Sequence, residues 1–205
     1  MEKSGRGGPL TTLLEMYLGN RKYTFLNVAK EELGDIGPEI GLVTQLETLA
    51  MNGSQITSLP PEIGTFSIFP LYTICFASTS NHVGLLTRLK TLTLSCNNLT
   101  QLPIEIHHLS NLTVLNLAHN KLTSVPDELT RMTSLVKLYL SHNELTTLPP
   151  SFSRLTSLQA LALEKNHTLI IPWSLQSFCT NLPQSQMGNP KAFLNKHPLT
   201  FPKNS

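Results

Sequence analysis

The sequence predicts an α/β fold in which short coils of chain stack into a solenoid, with a curved parallel β-sheet on the concave face and short helical or extended segments on the convex face. Three observations support this prediction. Leucines recur at a step of 23 residues, and one proline and one asparagine recur at fixed places within the same step. A period of this length indicates stacked units, each of which needs its neighbours to bury its apolar side chains.

The repeated unit reads L-x-x-L-x-L-x-x-N-x-L-x-x-L-P-x-x-I-x-x-L-x-x. Copies begin, with the first two weaker than the rest, at Tyr23, Leu46, Leu89, Leu112, Leu135 and Leu158. The last copy places Thr168 where leucine is expected. Six units therefore occupy residues 23–181, and their pattern is the leucine-rich repeat signature.

The L-x-L step of each unit alternates apolar and variable residues, which is the period of a strand with one buried face. The leucines are expected to point into the coil, and the residues between and beside them to face outward on the concave side. The predicted concave residues are Thr91, Thr93, Ser95, Val114, Asn116, Ala118, Lys137, Tyr139, Ser141, Ala160, Ala162 and Glu164.

The recurring asparagine follows each strand, where the chain turns away from the sheet. An amide side chain both donates and accepts, so it can pair backbone groups of neighbouring turns that would otherwise be buried without partners. We expect a structural ladder of Asn97, Asn120, Asn143 and Asn166.

The L-P step of each unit begins the returning limb on the convex side. Proline fixes φ and lacks an N–H group, so a short helical or extended segment is expected there. The same prolines exclude one long amphipathic helix, although leucines three and four residues apart also suit a helix. They are Pro60, Pro103, Pro126, Pro149 and Pro172.

The register breaks between Ile63 and Leu89. Removing residues 65–84 restores an intact unit, so this apolar segment of 20 residues is interpreted as an insertion. It is either a loop extruded from the solenoid, which we favour, or a degenerate extra coil in which Phe69, Tyr72 and Ile74 imitate the strand; a retained intron would look the same. The loop interpretation predicts that the strand near Leu49 pairs directly with the strand near Leu92.

The two ends differ in composition from the repeats. Residues 1–22 include apolar side chains at helical spacing and predict a helix that caps the first coil. Residues 182–205 are rich in proline and asparagine and predict a flexible tail.

Composition excludes several classes of function. The net charge of +2, with 14% charged residues, provides no basic surface for nucleic acid. No apolar run is long enough to span a membrane, and the N-terminus lacks the features of a signal peptide. Three scattered cysteines favour a reducing compartment. We therefore expect a cytoplasmic protein, in which the four N-x-S/T triplets at Asn52, Asn98, Asn111 and Asn166 are not glycosylated.

The candidate binding residues lie on the predicted concave face and beside it. A shallow face around Tyr139 suits a protein partner better than a small substrate, which needs a closed pocket. The predicted partner-binding residues are Thr91, Thr93, Asn116, Lys137, Tyr139, Ser141, His119, His142 and Glu164.

Chemistry beyond binding is not predicted. Cys96, His119 and His142 fall at one equivalent position in three units, but a fourth zinc ligand is lacking, so no metal site or cofactor is predicted. The exposed His107 and His108 are interpreted as solvated. No catalytic triad, phosphate-binding glycine loop or facing carboxylate pair is recognisable, which indicates a protein that is not an enzyme.

The L-P-x-x-I-x-x-L limb, as in Leu102 to Leu109, resembles the Ras-suppressor class of intracellular leucine-rich repeat proteins, with its plant Ras-group-related relatives and the repeat region of yeast adenylate cyclase. The resemblance covers about residues 23–181 apart from the insertion. It implies scaffolding or docking in signalling, with a small GTPase, kinase or phosphatase as partner.

Three interpretations of function remain open. The chain is a signalling adaptor that binds a protein on its concave face, or the recognition module of a larger cyclase, kinase or ubiquitin ligase. The third interpretation is a misannotated or truncated product without stable function, which aggregation of the full chain and rescue by deleting residues 65–84 would support.

Overall fold

The leucine pattern of the sequence becomes six short strands in one sheet. The computed structural model describes residues 23–30, 36–37, 40–41, 43–64, 86, 88–175, 177–178 and 182. In chain order the strands are β1 Phe25–Asn27, β2 Thr48–Ala50, β3 Thr91–Thr93, β4 Val114–Asn116, β5 Lys137–Tyr139 and β6 Ala160–Ala162. Each strand pairs in parallel with the next, so the spatial order of the sheet is the order of the chain.

The sheet register places equivalent residues of successive units beside each other. One central leucine per strand forms a row whose members are Leu26, Leu49, Leu92, Leu115, Leu138 and Leu161. Each member is at most 1% exposed. Because side chains alternate along a strand, burying this row turns the flanking residues to the opposite face. The predicted fold class is confirmed: a curved, open, parallel sheet lines one side of a leucine-rich repeat solenoid.

The returning limbs form short 3-10 helices, each beginning directly after a proline of the repeat. The helices are Pro61–Ile63, Ile104–His108, Asp127–Arg131, Pro150–Arg154 and Trp173–Leu175. Pro103 illustrates the reason, since its φ of −65° and ψ of 144° hold the chain extended just before the turn. Its ring also removes an N–H group that the helix start does not need.

Between the sheet and the limbs lies one continuous apolar core. In the unit beginning at Leu112, every predicted leucine-type position is buried: Leu112, Leu115, Leu117, Leu122, Val125, Leu129 and Met132. The core is therefore a stack of layers, each closed by the coils on either side.

The two ends of the array depart from the burial pattern of the central units. Tyr23 aligns with the buried first leucine of the repeat, yet it is 50% exposed. It lies in the outermost described coil, where no described strand covers its outer side. At the other end, Thr168 is exposed and the adjacent Leu169 is buried in its place. The threonine hydroxyl instead donates to the Leu145 carbonyl oxygen at 3.2 Å.

The strands on either side of the predicted insertion are neighbours in the sheet. β2 pairs directly with β3, with Leu49 beside Leu92, as the loop interpretation predicts. Ile63 and Leu86, on either side of the interruption, are both buried in the common core. Residues 65–84 and the predicted capping helix of residues 1–22 lie outside the described residues, as does the C-terminal tail except Leu182, so those domain boundaries stay predictions.

Gly64 marks a close approach between the convex limbs on either side of the insertion. A Cβ atom built on this glycine would collide with the backbone carbonyl group of Glu105 in the next limb. The contact is to backbone and not to a flexible side chain, so it cannot be relieved by a rotamer change. Glycine at this position thus permits the interrupted coil to stack on the following one.

We predict that Gly64→Ala lowers the free energy of unfolding by about 1–3 kcal/mol, the usual cost of forcing an extra carbon into a packed site. Urea unfolding followed by circular dichroism measures it. Gly53→Asn is the matched control: its Cβ meets no atom closer than 3.9 Å, and asparagine tolerates its positive φ. Equal stability of Gly64→Ala and the wild-type chain would show that the two limbs do not touch.

Candidate partner-binding face

The concave face presents two outward residues from each strand, and all of these side chains are held at fixed spacing by the sheet. Strand register sets Thr91 beside Val114 and Lys137, and Thr93 beside Asn116 and Tyr139. These six side chains are partly exposed. A parallel sheet separates neighbouring strands by about 4.8 Å, so the face is a rigid grid.

A polar network that the sequence did not reveal braces the N-terminal half of this face. The amide of Asn52 donates to the Thr93 hydroxyl at 3.2 Å and accepts from the N–H and hydroxyl groups of Ser95 at 2.9 and 3.0 Å. Asn52 was noted only as a glycosylation triplet. Its alignment with Ser95 in adjacent units was the signal that could have identified it.

The C-terminal half of the face centres on β5. Tyr139 lies between Asn116 and Ala162, and Lys137 lies between Val114 and Ala160. The prediction that Ala118, Ala160 and Ala162 belong to an accessible face was wrong, because their exposures are 8%, 1% and 9%. Lys137, Tyr139 and Glu164 are partly exposed and form the accessible surface here.

Behind the face, the predicted asparagine ladder is present. Asn97, Asn120, Asn143 and Asn166 are each 7% exposed or less. Each amide nitrogen donates to the carbonyl oxygen of the third residue before it and to a carbonyl oxygen of the preceding coil. Each amide oxygen accepts a hydrogen bond from a backbone N–H of that coil. Asn143 donates to the carbonyl oxygens of Leu117 and Leu140, both at 3.0 Å, and accepts from the Leu122 N–H at 3.0 Å.

Ser54 takes the ladder position in the weaker second unit. Its shorter hydroxyl side chain reaches only the Val28 carbonyl oxygen, at 2.9 Å. The side-chain oxygen of Asn97 in the following coil accepts hydrogen bonds from two backbone N–H groups of this unit, those of Ser54 at 2.9 Å and Ile56 at 3.1 Å. Buried backbone groups in this weaker unit therefore still find partners.

A ridge of left-handed residues borders the concave face, one from each coil and each directly before the ladder position. We call it the left-handed ridge; its members are Lys30, Gly53, Cys96, His119, His142 and Lys165, with φ between 54° and 66°. The backbone N–H of each of the first five bonds to a carbonyl group of the next coil, for example His119 to Ser141 at 2.9 Å. These bonds hold the ridge residues in line at the strand spacing.

Two histidines on this ridge stack on each other. The ring centroids of His119 and His142 lie 4.0 Å apart, with 14° between the ring planes, and both residues are exposed. The pKa of His142 lies below its ordinary value, first because the stack removes water from the ring, then because His119, Lys165 and His167 disfavour a further positive charge. Glu164 opposes the shift.

Other titratable side chains form no recognisable chemical site. Among the described residues, no group of three or more His, Cys, Asp or Glu side chains is placed to hold a metal ion. His107 and His108 lie on the convex limb with ring centroids 3.9 Å apart, away from the concave face, and the His107 Nδ1 lies 2.6 Å from the Ile104 carbonyl oxygen. Within the described part of the chain, no helix is sufficiently long and apolar to cross a bilayer.

Comparison with protein families identifies the repeats. The leucine rich repeat family model matches residues 87–145 and 110–167, which cover four of the six strands. No curated protein matches the sequence.

Solved structures share the fold. A leucine-rich repeat protein of Leptospira interrogans is 29% identical, with a TM-score of 0.50 over 67% of this chain and 33% of its own. The ectodomain of the Arabidopsis thaliana receptor kinase GASSHO1/SCHENGEN3, in complex with CASPARIAN STRIP INTEGRITY FACTOR 2, is 23% identical, with a TM-score of 0.57 over 82% of this chain. The ectodomain of the Arabidopsis receptor kinase SOBIR1 is 23% identical, with a TM-score of 0.51 over 67% of this chain. The chain spans 33%, 18% and 66% of these three proteins.

The ladder geometry predicts a large cost for Asn143→Ala. The substitution leaves the buried Leu122 N–H without its acceptor, at a cost of roughly 1–3 kcal/mol. It also takes one of two donors from each of the Leu117 and Leu140 carbonyl groups, which keep the amides of Asn120 and Asn166. We expect a loss of about 2–4 kcal/mol in urea unfolding. Asn98→Ala is the control and should cost about 1 kcal/mol or less, because Asn98 is partly exposed and its side chain forms no hydrogen bond within the described part of the chain. Similar losses for the two variants would contradict the ladder's structural role.

The histidine stack predicts a proton linkage. Since His142 binds a proton less readily in the folded chain than in the unfolded one, its contribution favours folding above the unfolded pKa and is lost as pH falls through the folded pKa. Imidazole proton NMR should show that His119→Asn raises the pKa of His142 towards its ordinary value. A His142 titration unchanged by this substitution would show that the neighbouring ring does not act on it.

Proposed function

We propose that this leucine-rich repeat protein is a non-catalytic scaffold that docks a protein partner on its concave face. Leucine-rich repeats in general form protein-binding scaffolds, which supports the coarse assignment. The single observation that supports docking on the concave face is the grid of outward side chains on β3, β4 and β5. Its members are partly exposed, fixed by strand register and braced by the Asn52 network.

The chemistry of the grid favours a macromolecular partner. Tyr139 offers a broad amphipathic ring next to the charged Lys137 and the amide of Asn116, and tyrosine is among the residues that carry most binding energy in protein interfaces. A rigid surface also loses little conformational entropy on binding. The proposed contact set is the one predicted from sequence, including Thr91, Thr93, Ser141, His119, His142 and Glu164.

We place this scaffold in cytoplasmic signalling, with a small GTPase, kinase or phosphatase as the partner. The support is the sequence resemblance of the L-P-x-x-I-x-x-L limbs to the Ras-suppressor class. The sparse cysteines agree with a reducing compartment: Cys96, within the described residues, is an exposed free thiol.

A second candidate is the recognition module of a larger signalling enzyme. The observation that favours it is the likeness to the ectodomains of two plant receptor kinases, of which this chain spans 18% and 66%. An antibody raised against residues 88–175 would distinguish the candidates on a blot of native lysate. A band near 22.7 kDa indicates the adaptor, and a much larger band indicates the module.

The concave-face proposal predicts loss of partner capture when β5 is altered. Tyr139→Ala combined with Lys137→Glu removes the aromatic contact and reverses the adjacent charge without touching the core. We expect recovery of the native partner from lysate, measured by quantitative mass spectrometry, to fall about tenfold or more, as removal of a central contact does.

A matched variant on the convex side controls for general damage. Ile104→Ala combined with Arg131→Glu likewise truncates one exposed apolar side chain and reverses one exposed charge. It should recover the partner as well as the wild-type chain does. Equal recovery by the β5 variant and the wild type would refute docking on this face, whereas loss with the convex variant alone would move the site to the limbs.

A further inference from the structure

The left-handed ridge carries a compact group of basic side chains that lies beside the grid on β3 to β5 and not within it. His119 and His142 stack at 4.0 Å with their rings exposed. Lys165 continues the same ridge in the next coil and is exposed as well. The three residues occupy equivalent positions of successive coils, share a left-handed backbone, and are aligned by the N–H bonds of His119 and His142 to the next coil.

The charges around this group are unbalanced. The side chains that act electrostatically on His142 are His119, Lys165 and His167, which are basic, and Glu164, which is acidic. On the other side of His119 the next ridge residue is Cys96, an exposed free thiol. When His119 and His142 are protonated, they and Lys165 carry three positive charges, and among the groups that act on His142 the Glu164 carboxylate carries the opposing charge.

We propose that His119, His142 and Lys165 form a contact for an acidic segment of the protein partner, a contact that strengthens as the pH falls from about 7.5 to 5.5. This inference rests on the proposed concave-face docking, because the ridge borders that face. It specifies that the partner carries clustered carboxylates and that binding is tighter at pH 5.5 than at pH 7.5.

The physical argument is one of proton linkage. Two neighbouring imidazolium rings repel each other, and the ring of His142 resists protonation when the ridge is unbound. Carboxylates brought against the rings neutralise that repulsion, which makes protonation and binding favour each other. Aspartate and glutamate stay ionised at pH 5.5, since their ordinary pKa values are near 4, so the partner keeps its charge while the ridge gains its own.

The test uses a fluorescein-labelled oligo-glutamate peptide as the probe and fluorescence anisotropy of the full chain at pH 7.5, 6.5 and 5.5. We expect affinity to rise about tenfold across this range, the equivalent of a one-unit rise in one histidine pKa on binding. His119→Asn combined with His142→Asn should abolish the rise. Asparagine is chosen because it tolerates the left-handed backbone, so the fold is retained.

Controls separate the outcomes. His107→Asn, on the convex limb, should keep the full pH dependence of the wild-type chain. Peptide binding that is equal at all pH values, absent, or unchanged in the double variant would overturn the proposal. Binding to phosphatidylserine vesicles without binding to the peptide would also overturn it and assign the ridge to a lipid surface. None of these results depends on Tyr139 and Lys137, so failure here is distinguishable from failure of the docking proposal.

Discussion

The structure depends on pairing the backbone groups where each coil turns away from the sheet. A chain that bends inside an apolar stack buries peptide N–H and C=O groups, and an unpaired one costs as much as a lost hydrogen bond. The ladder amides solve this by joining each coil to the one before it, as Asn143 does with Leu117 and Leu122. Leucine burial supplies most of the driving force, but the amides determine that coils stack in one register. Both the flat grid and the aligned ridge follow from that register.

Much of the fold was predictable from sequence because its interactions are local and periodic. The buried leucines, the strands, the ladder and the limb starts after proline all follow from one repeated unit, and each was placed correctly from it. The burial pattern departs from the repeat at its ends. Tyr23 occupies a leucine position but lacks a described coil outside it, and in the last unit Leu169 is buried while Thr168 is exposed.

The candidate site was predictable in position and less so in detail. Alternation along the strands placed Lys137 and Tyr139 on the outward face, yet it could not show that Ala160 and Ala162 are buried there, because alternation gives the direction of a side chain and not what covers it. The spacing of Cys96, His119 and His142 predicted equivalent positions in three coils, without a fourth ligand for zinc. Their left-handed backbone and the ring stacking were not foreseen, because they depend on torsion angles and rotamers that a spacing pattern does not contain.

The left-handed backbone has a consequence for how such a protein diversifies. At the first five ridge positions the backbone N–H bonds to the next coil, and every ridge residue that has a side chain is exposed. Glycine, cysteine, histidine and lysine all occur there within one molecule. A single codon change can therefore alter the chemistry of one ridge position and leave the spacing of the others unchanged.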